Sequence, residues 1–497
     1  MKKRIFLALM AALLLSSTVS CGSDPTEPAV DTTAISQETL PTEDELDFDS
    51  MTFIERLSHS RTQISDDLPD ADYEGYAFRV GHLYFPDEPN HMYNLDWLAE
   101  DLNGDVLNDA VYNRNLTVEE RFNIDLSFIQ HASAEYNTAL TAPILAGDDA
   151  FDMASLHPGF YGTGTTQGYF LRLSDLDIDF SKPWWMADSI KNLSYEGQVY
   201  TAFGTGTAIT LIADSPVIYF NKDLAVDLQV ENLYDVVREG RWTFDYFFDL
   251  VNTAASDLNG DGAMTEVDQF GLHYPFSQQS YRYIWSFGGK YVENNAEGIP
   301  TLQLSGERME KIFETSRTLY TTDSIYVTPD YSVKIFLNGN ILFEQAALIH
   351  STQELREADF EIGILPNCKL DETQEHYLTN GGGGPQAIPI TTSDPDRTSV
   401  LMVALNAESY KQVVPAFYET AVKRKTTSDE DSAEMLDLIF SHVVYDGCRL
   451  FNDGCTFLLQ DYMKGNMGFA SFAASKTASL QGGIDKTLAA FADLADN

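Results

Sequence analysis

The sequence has few cationic residues, few cysteines and no hydrophobic run long enough to cross a membrane. Its 31 lysines and arginines face 76 aspartates and glutamates, so the formal net charge is −45 at pH 7. Such a surface repels phosphate backbones, which argues against nucleic acid as a partner. The four cysteines are Cys21, Cys368, Cys448 and Cys455. Cys448 and Cys455 are close enough in sequence to pair, but nothing in the spacing shows that they do.

An apolar run over 5–15 follows a cationic start formed by Lys2, Lys3 and Arg4. As a helix, this run would rise only about 16 Å, whereas the hydrocarbon core of a membrane is about 30 Å thick. The order of charges, apolar run and small residues is typical of a secretory signal peptide, which we expect over 1–20. Residues 18–21 resemble a bacterial lipobox, although Thr18 stands where such boxes usually have leucine. The resemblance implies that Cys21 is lipid-modified and begins the mature chain.

The chain after Cys21 is acidic and contains almost no large apolar groups. Residues 22–50 are rich in threonine, proline, aspartate and glutamate. Such a segment cannot bury enough apolar surface to offset the entropy of ordering it. We therefore expect a lipid anchor and disordered acidic linker over 21–74, and a folded part that starts near Tyr76.

Hydrophobic periodicity after Tyr76 alternates between strand and helix. It predicts strands and helices in turn at 76–85, 107–122, 124–128, 135–146 and 151–156. This order is typical of a parallel sheet with crossover helices. Ligands bind such sheets at the carboxyl ends of the strands, which here points to 155–159.

The folded part has about 425 residues, which is too many for one hydrophobic core and predicts two lobes. A second α/β region begins with a strand at 216–220, and a helix opens at 221–224. Thr243 is expected to cap the next helix, which runs to Leu250. Further helices are predicted at 305–320, 429–445 and 484–494.

Five stretches in a fixed order resemble the extracellular solute-binding proteins of ABC importers, in the family that mostly serves sugars and oligosaccharides. They are GDDAFDMASLHP (147–158), VIYFNKDL (217–224), EGRWTFDYF (239–247), ILFEQAALIHSTQELREADFEIGILPNCKLDETQEHY (341–377) and AFYETAVKRKTTSDEDSAEMLDLIF (416–440). The resemblance implies an α/β fold of the periplasmic-binding-protein type II, with two lobes joined by hinge strands and a ligand cleft. It also implies a small-molecule ligand, which in this family is mostly a carbohydrate, and ABC permease subunits as partners.

The same resemblance implies how the chain is divided between the lobes. Lobe one would take 75–213 with 350–411, and lobe two would take 214–349 with 412–497. Lipid on Cys21 would then hold the protein on the cell membrane, facing outside. Ligand bound between the lobes would favour the closed state to the extent that it contacts that state better than the open one.

Residues 257–268 read DLNGDGAMTEVD, which has the spacing of a calcium-binding loop. Calcium takes six to eight oxygen ligands, and Gly262 would supply the sharp turn at position six. The predicted ligands are Asp257, Asn259, Asp261, Ala263, Thr265 and Asp268. Asp268 stands where an EF-hand has glutamate, and a polar turn without an ion is the alternative. We expect a structural Ca²⁺ and no organic cofactor.

Sugar sites combine aromatic platforms with hydrogen-bonding side chains, here expected in loops at strand ends or near lobe crossings. His157 follows a predicted strand, and Asp214 lies at a proposed crossing. One of Trp184 and Trp185 is expected in the core and the other in the cleft. The predicted ligand-binding residues are His157, Trp184, Trp185, Asp214, Tyr274, Trp285 and Gln386.

Three other functions compete with sugar capture. An anchored glycosidase would use paired carboxylates, but 76 acidic residues make such pairs uninformative, and common catalytic motifs are missing. A surface adhesion protein would suit the linker and the calcium loop but not the α/β pattern. The same fold could also carry a peptide, a polyamine or a metal ion. We therefore expect a binding protein that is not an enzyme.

Overall fold

The computed structural model describes residues 50–329, 332–423 and 429–495. These residues fold around two main sheets. The smaller sheet has four strands in the order β12-β3-β1-β2. These strands are β1 (Tyr76–Tyr84), β2 (Ile124–Ala132), β3 (Met153–Ser155) and β12 (Gln386–Ala387). Strands β1, β2 and β3 are parallel, with Tyr76 opposite Ile124 and Val80 opposite Met153. The parallel pairing predicted from the periodicity is therefore confirmed for these three strands, whereas β12 pairs antiparallel with β3.

The larger sheet has five strands in the order β10-β4-β9-β5-β8. These strands are β4 (Pro216–Asn221), β5 (Phe270–Pro275), β8 (Ile325–Thr328), β9 (Ile341–Ala347) and β10 (Ile362–Leu365). Strand β9 is antiparallel to β4 and parallel to β5, so the sheet is mixed. Two short pairs complete the strands, and they are β6 (Val292–Asn294) with β7 (Pro300–Leu302) and β11 (Thr379–Asn380) with β13 (Val443–Val444).

Helices cover both sheets. In the first half of the chain they are α1 (Phe53–Thr62), α2 (Met92–Leu95), α3 (Val106–Phe122), α4 (Tyr136–Ala146), α5 (Tyr161–Thr166), α6 (Ala187–Asn192), α7 (Ala208–Ala213), α8 (Lys222–Asp227), α9 (Leu233–Arg238) and α10 (Phe244–Ala254). In the second half they are α11 (Phe276–Gln279), α12 (Tyr283–Ser286), α13 (Glu307–Thr321), α14 (Ile349–Thr352), α15 (Pro395–Glu408), α16 (Val414–Val422), α17 (Glu430–Phe440), α18 (Cys448–Phe451), α19 (Leu458–Lys464) and α20 (Phe469–Ala495). The predicted cap is confirmed, because the Thr243 side chain accepts a hydrogen bond from the Tyr246 amide.

The predicted disordered linker is wrong at its C-terminal end. Residues 53–62 form α1, which begins with a capping box in which the Thr52 and Glu55 side chains each accept the other's backbone amide. Arg61 of this helix is buried and lies over the Tyr410 ring at 4.0 Å. The low apolar content of the segment gives no helix signal in the sequence. The stability of α1 depends on the capping box and on packing against the rest of the fold.

The predicted lobe bounds fail at one strand. Strand β10 pairs antiparallel with β4, so it belongs to the larger sheet, whereas the prediction put 350–411 in the lobe of the smaller sheet. The apolar run of 362–365 fits a buried strand in either sheet, and periodicity alone does not specify its partner. The chain passes from the smaller-sheet side to β4 through α7 and residues 214–215. In the part of the chain that the structure describes, no helix is long and apolar enough to span a membrane.

Candidate ligand-binding cleft

A narrow cavity of about 70 Å³ lies where segments that follow β3 and β5 meet. Because β3 belongs to the smaller sheet and β5 to the larger one, segments connected to both sheets form its walls. Its lining includes five aromatic rings, two arginines and a glycine-rich stretch. The lining residues are Pro158, Tyr161, Phe203, Asp214, Tyr281, Arg282, Trp285, Asn380, Gly381, Gly383, Val444, Tyr445, Asp446, Cys448 and Arg449.

Asp214 and Arg282 form an ion pair at one wall of this cleft. The Arg282 Nη2 atom donates to Asp214 Oδ1 at 2.9 Å, and Nη1 donates to the Asp214 carbonyl oxygen. The Arg282 side chain is 5% exposed and that of Asp214 is 27% exposed. Asp214 follows α7 at the passage to β4, so this pair ties the crossing point to the segment after β5.

The glycine-rich segment 380–384 packs closely against the crossing point. A Cβ atom on Gly382 would lie 2.4 Å from the Asp214 Cβ, and one on Gly384 would lie 1.7 Å from the Leu156 carbonyl oxygen. The Gly382 amide donates to the Leu211 carbonyl at 3.1 Å. Glycine is therefore required here because the backbone approaches α7 and the end of β3 more closely than any side chain permits.

Trp285 lines the cleft and is held by a buried carboxylate. Its indole Nε1 donates to Asp446 Oδ2 at 2.9 Å. The backbone amides of Tyr291, Val292 and Cys448 donate to the same carboxylate at 2.6, 2.9 and 2.8 Å. Burial raises the pKa of Asp446, and these donors oppose that shift. The ring of Trp285 is thus fixed in orientation, edge-on to Tyr281 at 6.0 Å.

Arg449 is the second cationic group of the cleft, and sequence reasoning missed it. It lies in α18, which packs against α5 of the smaller-sheet side, where a Cβ atom on Gly162 would lie 2.5 Å from the Arg449 carbonyl oxygen. Its side chain is 27% exposed, and its ion pair with Asp453 is long, at 3.8 Å. No motif surrounds Arg449 in the sequence, so only the packing of α18 reveals its position.

A stack of three rings lies near Asp214 after the end of β1. Phe85 and His91 stack at 3.7 Å between centroids, and His91 and Tyr93 stack at 5.5 Å. Burial lowers the pKa of His91 and raises that of Tyr93, and the nearby charge of Asp214 acts to raise both. These rings were also missed, although their place after a parallel strand is the signal that selected His157.

The structure places two predicted residues, Asp214 and Trp285, in the cleft lining, and His157 beside it. His157 Nδ1 accepts the Gly159 amide at 3.0 Å, and the neighbouring Pro158 lines the cavity. Burial and then the charge of Arg449 lower the pKa of His157, so the imidazole is neutral at pH 7. The Nδ1 atom of His157 thus stabilises a local turn, and binding of a ligand by this residue stays a prediction.

Four other predicted residues are placed elsewhere. Trp184 and Trp185 are both buried in the core beside the smaller sheet, at 0% and 3% exposure, so neither faces the cleft. Tyr274 lies within β5 and packs against Phe276 and Tyr283. Gln386 lies in β12 and is fully buried, with its side chain hydrogen-bonded to Asn406. Large aromatic and amide side chains satisfy core packing as readily as ligand binding, which is why the sequence did not separate the two.

The predicted calcium loop has the turn that it needs. Gly262 has a φ of +83°, as position six requires. The Asp257 carboxylate accepts the amides of Gly260 and Gly262, and Asp268 accepts those of Leu258 and Thr265. Over 50–329, 332–423 and 429–495, no group of three or more histidine, cysteine or acidic side chains is gathered to hold a metal ion. Calcium binding by this loop stays a prediction.

The cysteines do not form a disulfide in the described part of the chain. Cys368, Cys448 and Cys455 are free and buried. Burial raises the pKa of the Cys455 thiol to about 12, so it is uncharged at pH 7. Cys21, with the signal and most of the linker, lies outside the described residues, and its lipidation stays a prediction.

No protein-family model matches this sequence, and no curated protein matches it. Solved structures do. A sugar transporter from Rhizobium etli in an open conformation is 13% identical, with a TM-score of 0.55 over 82% of this chain and 99% of that chain. The maltose/maltodextrin-binding domain MalE from Bdellovibrio bacteriovorus, bound to maltotriose, is 13% identical, with a TM-score of 0.51 over 82% and 100%.

A third similar structure is the ABC substrate-binding protein Lmo0181 from Listeria monocytogenes in complex with cycloalternan. It is 13% identical, with a TM-score of 0.50 over 84% of this chain and 99% of that chain. At identities this low, the structural similarity establishes the fold alone, and each match spans nearly the whole of the similar protein. The chain therefore has the periplasmic-binding-protein type II fold of ABC substrate-binding proteins.

Proposed function

We propose that this chain is an extracellular solute-binding protein that captures a sugar or oligosaccharide and delivers it to an ABC transporter permease. The observation that carries the proposal is the cleft itself, an aromatic and polar cavity formed by segments from both sheets. In α/β sheets of this kind, ligands bind at the carboxyl ends of strands, which is where Pro158 and Tyr161 lie after β3.

The lining suits a carbohydrate. Sugars present C–H faces that pack on aromatic rings and hydroxyl groups that need hydrogen bonds. Tyr161, Phe203, Tyr281, Trp285 and Tyr445 supply the rings. Arg449 and Asn380 of the same lining supply hydrogen-bonding side chains. The similar proteins from Bdellovibrio bacteriovorus and Listeria monocytogenes were solved with maltotriose and cycloalternan, which supports a sugar rather than a peptide, polyamine or metal cargo.

The cleft has to open before it binds. Its volume of about 70 Å³ is well below the roughly 300–1,000 Å³ of small-molecule sites. Separating the two sides at the crossing near Asp214 would enlarge the space and break the ion pair to Arg282. A ligand that contacts both sides would then stabilise the closed arrangement, which is the form that a permease would recognise.

The remaining parts of the proposal concern the ends and loops of the chain. Lipid on Cys21 would anchor the protein on the outer face of the cell membrane, with the linker as a tether. The loop over 257–268 would hold a structural calcium ion. The bound solute would leave unchanged, because we propose capture and no catalysis.

A thermal-shift screen tests the proposal. A ligand at about 100 times its Kd stabilises the folded chain by about 2.7 kcal/mol, which corresponds to a rise in Tm of about 3 °C for a chain of this size. We expect this rise with oligosaccharides and not with peptides, polyamines or cations. The variant Tyr281→Ala should lose the rise. Tyr246→Ala is the matched control, because Tyr246 lies outside the cleft and hydrogen-bonds Glu231 at the surface.

Two results would contradict the proposal. A rise in Tm with a peptide or a cation, and none with any sugar, would remove the carbohydrate assignment. Conversion of a bound sugar into a product, detected by mass spectrometry, would show that the protein is an enzyme.

A further inference from the structure

Arg449 projects a positive charge into the cleft without a close counter-ion. Its side chain is 27% exposed, and its one ion pair among the described residues joins Nη1 to Asp453 Oδ1 at 3.8 Å. Asp453 is itself 60% exposed, so water screens this contact strongly. A guanidinium has five N–H donors, and in the described part of the chain that of Arg449 donates no hydrogen bond to protein.

The other charged groups of the cleft are already engaged. Asp214 is paired with Arg282 at 2.9 Å. The Asp446 carboxylate accepts the indole of Trp285 and three backbone amides. His157 next to Arg449 is neutral at pH 7, so it neither competes for an anion nor neutralises the arginine. The lining therefore has two carboxylates and two arginines, but neither carboxylate pairs with Arg449, and the whole chain has a formal net charge of −45.

Closing the cleft makes this charge costly unless the ligand matches it. Burying a cation without a counter-ion is unfavourable, and the cost falls when an anion pairs with it. The planar fork of arginine fits a carboxylate through two parallel hydrogen bonds. Tyr161 and Tyr281 lie beside Arg449, where they can cover the C–H faces of a sugar ring that carries the carboxylate.

We infer that the ligand of this cleft is an acidic carbohydrate, and that Arg449 binds the carboxylate of a uronic acid unit. The inference rests on the proposed function, since it names the class of sugar that the same cleft takes. A neutral sugar would leave the guanidinium to hydroxyl groups alone, which do not neutralise it. The surface of the chain is anionic, so the cation inside the cleft is what attracts an acidic ligand. The aromatic rings then select an acidic sugar over anions that do not fit them.

Isothermal titration calorimetry with a matched pair of probes tests the inference. Digalacturonate carries the carboxylates, and galactobiose is its neutral counterpart. We expect tighter binding of digalacturonate, and weaker binding as ionic strength rises. Arg449→Gln should lower the affinity for digalacturonate by about 10- to 100-fold, as expected for loss of a charge-assisted pair. Arg241→Gln is the control, because Arg241 pairs with Glu231 and Glu239 at the surface and should leave binding unchanged.

The variant Arg449→Lys guards against a folding defect in the glutamine variant. It keeps the charge and loses the planar fork, so its affinity for digalacturonate should lie between those of the parent and Arg449→Gln. Binding of galactobiose at least as tight as that of digalacturonate would overturn the inference and leave the proposed function standing. An equal affinity of all three proteins for digalacturonate would also overturn it. If no neutral or acidic sugar binds the folded protein, the proposed function fails, and the inference fails with it.

Discussion

The ion pair between Asp214 and Arg282 should contribute measurably to stability, because it is partly buried at the crossing between the two sheets. Breaking a fully buried pair costs about 3–5 kcal/mol, whereas an exposed pair contributes less than about 1 kcal/mol. With exposures of 5% and 27%, this pair lies between the two cases. We expect Asp214→Asn to lower the free energy of unfolding by about 2 kcal/mol. Arg282→Gln should cost somewhat more, since Arg282 also donates to the Asp214 carbonyl.

A double-mutant cycle measures the pair directly. Urea unfolding of the parent, the two single variants and the double variant, followed by tryptophan fluorescence, gives a coupling free energy. We expect a coupling of about 1–2 kcal/mol. The matched control is the pair of Arg241 and Glu231, which is 43% and 52% exposed and should give a coupling below about 1 kcal/mol. A coupling for Asp214 and Arg282 no larger than that of the control would refute the assignment of this pair as a stabilising tie.

Three further predictions follow from other contacts. Gly384→Ala should lower the free energy of unfolding by about 3 kcal/mol, because its Cβ would lie 1.7 Å from a backbone oxygen. The control is Gly468→Ala, which has open space around the new Cβ and should be neutral. Equal urea midpoints for the two variants would contradict this prediction. Burial raises the pKa of Asp96 to about 7, so its carboxyl keeps a proton in the folded chain that it loses in the unfolded chain between about pH 4 and pH 7. Its contribution to stability is therefore largest at acid pH and falls as the pH rises to 7. Asp96→Asn should remove that fall. If urea unfolding gave parallel stability profiles for the parent and the variant from pH 4 to 8, this role of Asp96 would be excluded. Calcium should raise the Tm of the parent and EDTA should lower it, with no response in Asp257→Asn, and a parent that is insensitive to EDTA would argue against an occupied loop.

The sequence predicted three of the four strands of the smaller sheet, because each of them is marked by a local signal. Apolar periodicity identified β1, α3, β2 and α4, and the parallel pairing then followed from their alternation. Each of these signals is contained within a few residues of the element that it predicts. The crossing near Asp214 was implied by the family resemblance, and in the structure β4 begins two residues after Asp214, at Pro216.

The missed features depend on contacts between distant parts of the chain. Arg449 reaches the cleft because α18 packs on α5 through the close approach at Gly162. Strand β10 joins the larger sheet through pairing with β4, although its sequence fits either sheet. One of Trp184 and Trp185 is predicted to face the cleft, but both are core residues, because a large aromatic side chain suits either role. Local patterns specify elements, but long-range packing decides which side chains share a cavity.

The small volume of the cavity means that part of the binding free energy is spent on opening the cleft. A volume of about 70 Å³ is well below that of a small-molecule site, so capture as proposed includes opening at the crossing. Opening exposes Arg282 and Asp214 to water, and its cost is subtracted from the intrinsic affinity of the cleft. A ligand recovers that cost only by contacts made in the closed arrangement, from the rings of Trp285 and Tyr281 and the guanidinium of Arg449. Weakening the Asp214–Arg282 pair should therefore ease opening and change affinity even for a ligand that never contacts either residue.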